Sequence, residues 1–472
     1  MLERGSSAAA EFMDRLGGAG FLTDNRDTAP FTRDWLNNYG APPLGVARPA
    51  STEDVAATVG IAQTHGLVVV PQGGNTGLNG GSVLGDGQQG IVLSLGRMNR
   101  ILSIDTLGLT ATVEAGVALG TLHEVLADQG LGFPLHLGSE GSAQIGGLVA
   151  TNAGGSHAFR FGMMGDLVLG LEVVLSDGRV WNGLRSLVKD NAGYSLRRLF
   201  CGAEGTLGIV TKAVLRLRPA ERARATALLA LESLEDALEV GQRVRGDAGE
   251  TLAALEFFPE AGLALALKHI PELRRPFETP YPFYLLAELA TSVEAAPVDA
   301  VLETCLGHAL EAGSVGDALI ASNGTQRTAF WRLREEMPEG QRLEGPQLKH
   351  DVSVPVSSLP AFVAEAITAV NAVLPGVCVN PFGHLLDGNV HFNLSPPQGC
   401  SGFEGLEKGL TEAVYEATTR HQGSIAAEHG LGQAKVDLAD RFRPTVEREL
   451  MTRIKLALDP DGRLNRGKVV RA

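Results

Sequence analysis

Pro71-Gln72-Gly73-Gly74-Asn75-Thr76-Gly77-Leu78-Asn79-Gly80-Gly81 is the stretch from which the fold of this chain can be read. Glycines at this density let successive backbone N–H groups turn inward, and they let a pyrophosphate approach with no Cβ in the way. Upstream, Ser51 is placed to cap a helix with Asp54 in its first turn. Val55, Val59 and Ile61 carry that helix towards His65, and Gly66 ends it. Leu67-Val68-Val69-Val70 then reads as a short buried strand, and Ile91 to Leu95 beyond the loop reads as another. Strands on both sides argue against a slack linker. Gly85-Asp86-Gly87-Gln88-Gln89-Gly90 matches GxGxxG, but it precedes a strand instead of joining strand to helix, which rules out a dinucleotide fingerprint. Gly462 to Lys468 begins like a phosphate loop, yet Val469 stands where Ser or Thr is required.

Two more glycine-rich passages follow. The first is Leu137-Gly138-Ser139-Glu140-Gly141-Ser142-Ala143-Gln144-Ile145-Gly146-Gly147, continued by Thr151-Asn152-Ala153-Gly154-Gly155. The second is Cys201-Gly202-Ala203-Glu204-Gly205-Thr206-Leu207-Gly208-Ile209-Val210, leading into a strand that ends near Pro219. Val168 to Leu175 reads as a strand, with a turn at Asp177-Gly178. Three such passages in one domain imply an extended ligand threaded along the backbone.

The 472 residues predict two or three domains. The net charge of −14, with no basic cluster, excludes nucleic acid as an expected partner. Cys201, Cys305, Cys378 and Cys400 lie far apart without a CxxC, as expected in a reducing compartment. The N-terminus lacks an apolar signal core, and no uninterrupted apolar run is long enough for a membrane span. A cytoplasmic protein is expected.

Gly383-His384-Leu385-Leu386-Asp387-Gly388-Asn389-Val390-His391 carries the chemistry. Asp-Gly between apolar residues predicts a two-residue hairpin turn, which would set His384 opposite His391, with Cβ atoms roughly 4.5–5.5 Å apart. Two imidazoles there can reach one metal ion. Glu428-His429, in Ala426-Ala427-Glu428-His429-Gly430-Leu431-Gly432, is the other dense candidate for a third ligand, and two histidines plus a carboxylate leave a coordination position open for catalysis.

Together these motifs resemble the vanillyl-alcohol oxidase superfamily, with its FAD domain of the p-cresol methylhydroxylase (PCMH) type. The resemblance is to the D-2-hydroxyacid dehydrogenase branch, which includes D-lactate, glycolate and D-2-hydroxyglutarate dehydrogenases. Asp351-Val352-Ser353-Val354-Pro355, Leu458-Asp459-Pro460, Leu464-Asn465 and Gly467-Lys468 extend it over nearly the whole chain from about Asp34. It implies an α+β fold: a two-part FAD-binding domain over 1–219, an antiparallel-sheet cap over 220–422 with helices on one face, and a small segment over 423–472 returning to the flavin. It implies FAD cradled by Gly73, Gly74, Asn75, Thr76 and Gly77 and by Gly138, Ser139, Gly141, Ser142, Ile145, Gly146 and Gly147. Asn152, Gly154, Gly208, Val210 and Asn465 would line the flavin. Non-covalent FAD is expected, with His136 and His157 as the histidines through which a covalent link could run. A homodimer, and electron-transfer flavoprotein or quinone as acceptor, are in keeping with the family.

Oxidising a 2-hydroxy acid means removing the hydroxyl proton and passing hydride to flavin N5. A Zn²⁺ or other divalent ion on that hydroxyl lowers its pKa. In an extended segment Glu428 and His429 point to opposite sides, so Glu428 is assigned as third metal ligand and His429 as general base, roles that the resemblance also implies. Arg334 and Lys349 are the expected carboxylate anchors, with Asn393 as a further substrate contact. In the family's D-2-hydroxyglutarate enzymes a threonine follows the substrate-binding arginine by four positions; here Pro338 stands there. That departure weakens the match to a diacid substrate, but Arg334 and Lys349 supply two positive charges for two carboxylates, so D-2-hydroxyglutarate is expected ahead of D-lactate or glycolate. A zinc hydrolase would use the same His-His-Glu set but gives the glycine passages no purpose, and a non-enzymatic flavin or metal sensor is the third reading.

Overall fold

The computed structural model describes residues 2–471. They cluster into two units. One takes the chain up to Gly155, Phe161–Ala220, and everything from Glu428 on; the other takes Ser156–Arg160 and Glu221–Ala427.

In the first unit the helix Thr52–Thr64 starts where Ser51 Oγ accepts the Asp54 N–H at 3.2 Å. The strand Val68–Gln72 follows and pairs parallel with Gly90–Ser94, in register Val70 with Val92. Parallel neighbours need a crossover of a dozen or more residues, and the glycine loop from Gly73 to Gln89 is that crossover. Phe21–Leu22 and Val46–Ala47 complete a four-stranded sheet. A second, antiparallel sheet runs Ile101–Asp105, Thr110–Glu114, Ile209–Arg216, Val168–Val174, Val180–Gly183. Its last two strands turn at Asp177-Gly178, where Gly178 has φ +80°. Leu119–Ala127 and Ile145–Thr151 are the helices whose apolar faces meet Ala111, Val113, Leu171, Val173 and Ala213 of this sheet.

The last residues are stitched into the same unit. Val69 donates its N–H to the Arg463 carbonyl at 2.9 Å, and Asn465 donates its own to Val69 at 2.9 Å. The buried Lys455 ammonium pairs with Asp459 and donates to the Thr206 and Leu464 carbonyls, both at 2.8 Å. A buried ammonium is tolerable because each of these acceptors is spent on it.

The second unit is a seven-stranded antiparallel sheet in the order Asp317–Ile320, Ala223–Leu231, Phe283–Thr291, Leu252–Pro259, Cys378–His384, Asn389–Ser395, Asp351–Ser353. Helices on one face only would leave half of this sheet wet, but the central strands are buried on both sides. Helices accordingly take both faces. Leu234–Ala248 brings Gly241 against Leu255 on one. Glu260–His269, Gly324–Glu335 and Met337–Glu344 bring Leu263, Leu333 and Met337 against Phe258, Tyr284 and Phe382 on the other.

The segment Val356–Val373 is apolar enough by length and composition to cross a membrane, with mean hydropathy 1.4. Within this unit it buries Leu359, Phe362, Val363, Ala366 and Val370, sets the Phe362 ring 6.1 Å from Phe392, and pairs Glu365 with His421 at 2.8 Å. It packs one apolar face into this unit and leaves the rest of its surface uncovered.

Candidate active site

The hairpin forms, but not with a two-residue turn. His384 pairs with Asn389, Gly383 with Val390 and Phe382 with His391, so Leu385 to Gly388 make a four-residue loop. The physical reason lies outside the hairpin. Leu385 donates its N–H to the Leu255 carbonyl at 2.9 Å, and its fully buried side chain packs at Gly241. Asp387 Oδ1 accepts the Asn389 N–H at 3.0 Å, closing the loop locally. The register shifts by two residues, and an even shift keeps every side chain on its face. His384 and His391 become diagonal neighbours, with ring centroids 5.9 Å apart.

One face of this sheet gathers the unit's candidate residues. Glu256 is register partner to His384, and Asp351 to His391. The Leu348–Leu394 bridge continues that register and sets Lys349 across from Asn393. Asn393 Nδ2 donates to Gln341 Oε1 at 3.1 Å. Burial pushes the half-buried Lys349 ammonium below its ordinary pKa, with Glu339 opposing. Arg334, itself buried, lies over the Phe382 ring with its guanidinium carbon 4.6 Å from the centroid. Its Nε is 2.9 Å from Glu256 Oε2, yet the N–H is not directed at that oxygen, so the contact is Coulombic and Nε makes no hydrogen bond among the described residues. Glu256 Oε1, Asn380 Oδ1 and Asn389 Oδ1 are likewise buried without hydrogen-bond partners among them. Buried polar atoms are nearly always satisfied, and four orphans on one face beside two imidazoles fit a polar ligand, a cation or both. Pro338 occupies the first turn of Met337–Glu344, where a missing N–H costs nothing.

In the first unit the first two glycine passages meet. A β-carbon at Gly73 would lie 3.6 Å from Gly147 Cα, and one at Gly74 only 1.9 Å from the Ser142 carbonyl oxygen. Gly74 is therefore required by loop-on-loop packing, not by open space for a ligand. Replacing it with valine should force the two runs apart and yield colourless protein, which the flavin absorbance of the purified variant measures. Asn75 holds φ +54° and donates from Nδ2 to the Arg33 carbonyl at 2.8 Å. Thr76 is half-buried, and the Ser139 carbonyl accepts the Ser142 N–H at 3.0 Å. Ile145 is fully buried, Gly146 packs on Ala115, Gly208 packs on Val173, and Val210 belongs to the core. Asn152, at φ +50°, spends Oδ1 on the Gly165 N–H at 2.8 Å. Gly77, Gly138, Gly141 and Gly147 face open space. Gln144 Oε1 and Asn465 Oδ1 are buried acceptors with no partner among the described residues. Open glycine backbone beside two unspent carbonyl oxygens fits a cofactor rich in N–H and O–H donors, as FAD is.

Glu428 and His429 belong to this unit, but the segment is bent over 427–429 rather than extended, so alternation does not set their directions. Glu428 Oε1 approaches Gly154, 3.4 Å from where a β-carbon there would stand. The segment is held by residues far from it in the chain. Asn79 Nδ2 donates to the His429 and Gly430 carbonyls at 3.1 and 2.7 Å, and the Glu204 carboxylate accepts the Leu431 and Gly432 N–H groups at 2.7 and 2.8 Å. Burial pushes the Glu204 carboxyl up while those two N–H groups pull it down. Its φ of +48°, rare outside glycine, marks the strained turn that aims it.

Comparison with known proteins agrees with this geometry. Residues 220–469 match the model for the C-terminal domain of FAD linked oxidases, and residues 43–183 match an FAD binding domain. The chain belongs to the FAD-linked oxidase family. It is 38% identical over 451 residues to a D-2-hydroxyglutarate dehydrogenase of Xanthomonas citri pv. viticola, covering 95% of this chain and 93% of that one. It is 35% identical over 453 residues to the D-2-hydroxyglutarate dehydrogenase of Stutzerimonas stutzeri, covering 96% of each. The mitochondrial D-2-hydroxyglutarate dehydrogenase of Arabidopsis thaliana is 36% identical, over 98% of this chain and 82% of that one. Among solved structures, p-cresol methylhydroxylase with substrate bound shares the fold at TM-score 0.78 and 16% identity, over 99% of this chain and 97% of that one. Within the FAD-linked oxidases this chain falls in the D-2-hydroxyacid dehydrogenase branch, as an FAD-dependent enzyme. A flavin-free zinc hydrolase is thereby set aside.

Proposed function

We propose that this FAD-linked oxidase converts D-2-hydroxyglutarate to 2-oxoglutarate, using one divalent metal, of the zinc class, held by His384, His391 and Glu428. The observation that carries the reading is the face in the second unit where two imidazoles, a buried guanidinium with an unsatisfied Nε and three further unsatisfied polar atoms gather at one sheet surface. Relatives named for the same reaction match along almost the full chain. Glu428 follows that unit by one peptide bond, four residues after Ser424, which pairs with Ser353 beside the hairpin. Two histidines and a carboxylate are a donor set that leaves a coordination position open for substrate. When bound, FAD supplies the two-electron acceptor and the metal a Lewis acid for the substrate hydroxyl. The chain's own residues do the rest. His429 takes the hydroxyl proton, Lys349 and Arg334 hold the two carboxylates, and Asn393 orients the chain between them.

A second reading, a monocarboxylic substrate such as D-lactate, is favoured by one contact. Glu256 already offsets part of the Arg334 charge, and Pro338 offers no hydroxyl to a distal carboxylate. Kinetics on both acids separate the two. Arg334→Met and Lys349→Met should each raise the barrier for the diacid by roughly 2–5 kcal/mol, while at least one costs D-lactate much less. Equal losses on both acids would remove the support for a diacid.

A further inference from the structure

In the first unit, at the entry to the second glycine passage, His123, His136 and Glu140 bring two imidazoles and a carboxylate together, with one ligand atom from each within 4.8 Å of the others. His123 sits on the helix Leu119–Ala127, and the other two sit on the loop that opens the second glycine passage. The rings lie edge to face, centroids 4.6 Å apart, and His136 Nδ1 is 2.8 Å from Glu140 Oε1.

An ordinary ion pair would account for His136 and Glu140, but not for His123. Its Nε2 is buried and has no hydrogen-bond partner among the described residues. A buried imidazole nitrogen left without a partner, with a second imidazole and a carboxylate within reach, is placed to serve as a metal donor. Neutral imidazoles with a single carboxylate suit Zn²⁺, Ni²⁺ or Cu²⁺ better than Mg²⁺ or Ca²⁺, which prefer all-oxygen shells.

We propose that His123, His136 and Glu140 form a second metal site, for a divalent transition ion of the zinc class, which clamps the Leu119–Ala127 helix to the loop entering the second glycine passage. The remaining coordination positions face water, since the His136 and Glu140 side chains are 39% and 32% exposed. Three protein ligands from a helix and a loop add a cross-link to segments that already share core packing and backbone hydrogen bonds, so bound ion stabilises the folded unit.

The test is equilibrium dialysis of the metal-stripped, FAD-loaded enzyme against Zn²⁺. Wild type should bind one equivalent more than His123→Ala and one more than Glu140→Gln, with flavin absorbance unchanged in both variants. Zn²⁺ should also raise the Tm of wild type more than that of either variant. The paired variant His384→Asn/His391→Asn should still bind one equivalent, a readout that does not depend on altering the new site. Equal stoichiometry in wild type, His123→Ala and Glu140→Gln, or no Zn²⁺ bound by the paired variant, would overturn the proposal.

Discussion

Stripping divalent metal with a chelator is expected to abolish hydroxy-acid turnover while the flavin stays bound. Without a Lewis acid the substrate hydroxyl keeps the high pKa of an alcohol, and a side-chain base cannot remove its proton at a useful rate. The cofactor should survive the treatment because the residues proposed to cradle it, Gly73 to Gly77 with Gly138, Ser139, Gly141, Ser142 and Ile145 to Gly147, do not include His384 or His391. Re-addition of Zn²⁺ or another divalent ion should restore turnover. A stripped enzyme that keeps full activity would show that His384, His391 and Glu428 hold no catalytic metal. Since chelation also empties any ion at His123, His136 and Glu140, the control is His123→Ala, in which turnover should remain chelator-sensitive.

The next largest effect is expected at His429. His429→Asn should keep metal and flavin yet slow flavin reduction by roughly 100- to 10,000-fold, the range for loss of a general base. The backbone of this residue is held by Asn79 and the following N–H groups by Glu204, so the substitution removes the proton acceptor without releasing the segment. Anaerobic single-turnover reduction isolates the step. Reduction at the wild-type rate would take His429 out of the proton transfer.

What could be read from the chain was what is encoded locally. The glycine loop at Gly73, the cap at Ser51 and the Asp177-Gly178 turn each depend on a few adjacent residues, and each stands where expected. The hairpin carrying His384 and His391 was legible as a hairpin, while its register was not. Leu385 reads as a strand residue until the neighbouring strand takes its N–H and Gly241 makes room for its side chain. Lys349 and Asn393 fall opposite each other only because Asp351–Ser353 pairs with a strand some forty residues on, a long-range choice with no local signature. Glu204 was visible as part of a glycine passage, but its hold on Leu431 and Gly432 spans more than two hundred residues. Helices on both faces of the large sheet were missed for a related reason. Strands buried on both sides lose the simple alternation that would reveal a wet face.

The most direct measurement is the anaerobic addition of D- and L-2-hydroxyglutarate to the oxidised, metal-loaded enzyme, followed at the flavin band. Bleaching by the D-acid is expected, with 2-oxoglutarate formed in step, and an unchanged spectrum with the L-acid. A flavin that stays oxidised with D-2-hydroxyglutarate and with every other D-2-hydroxy acid offered would contradict the proposed function.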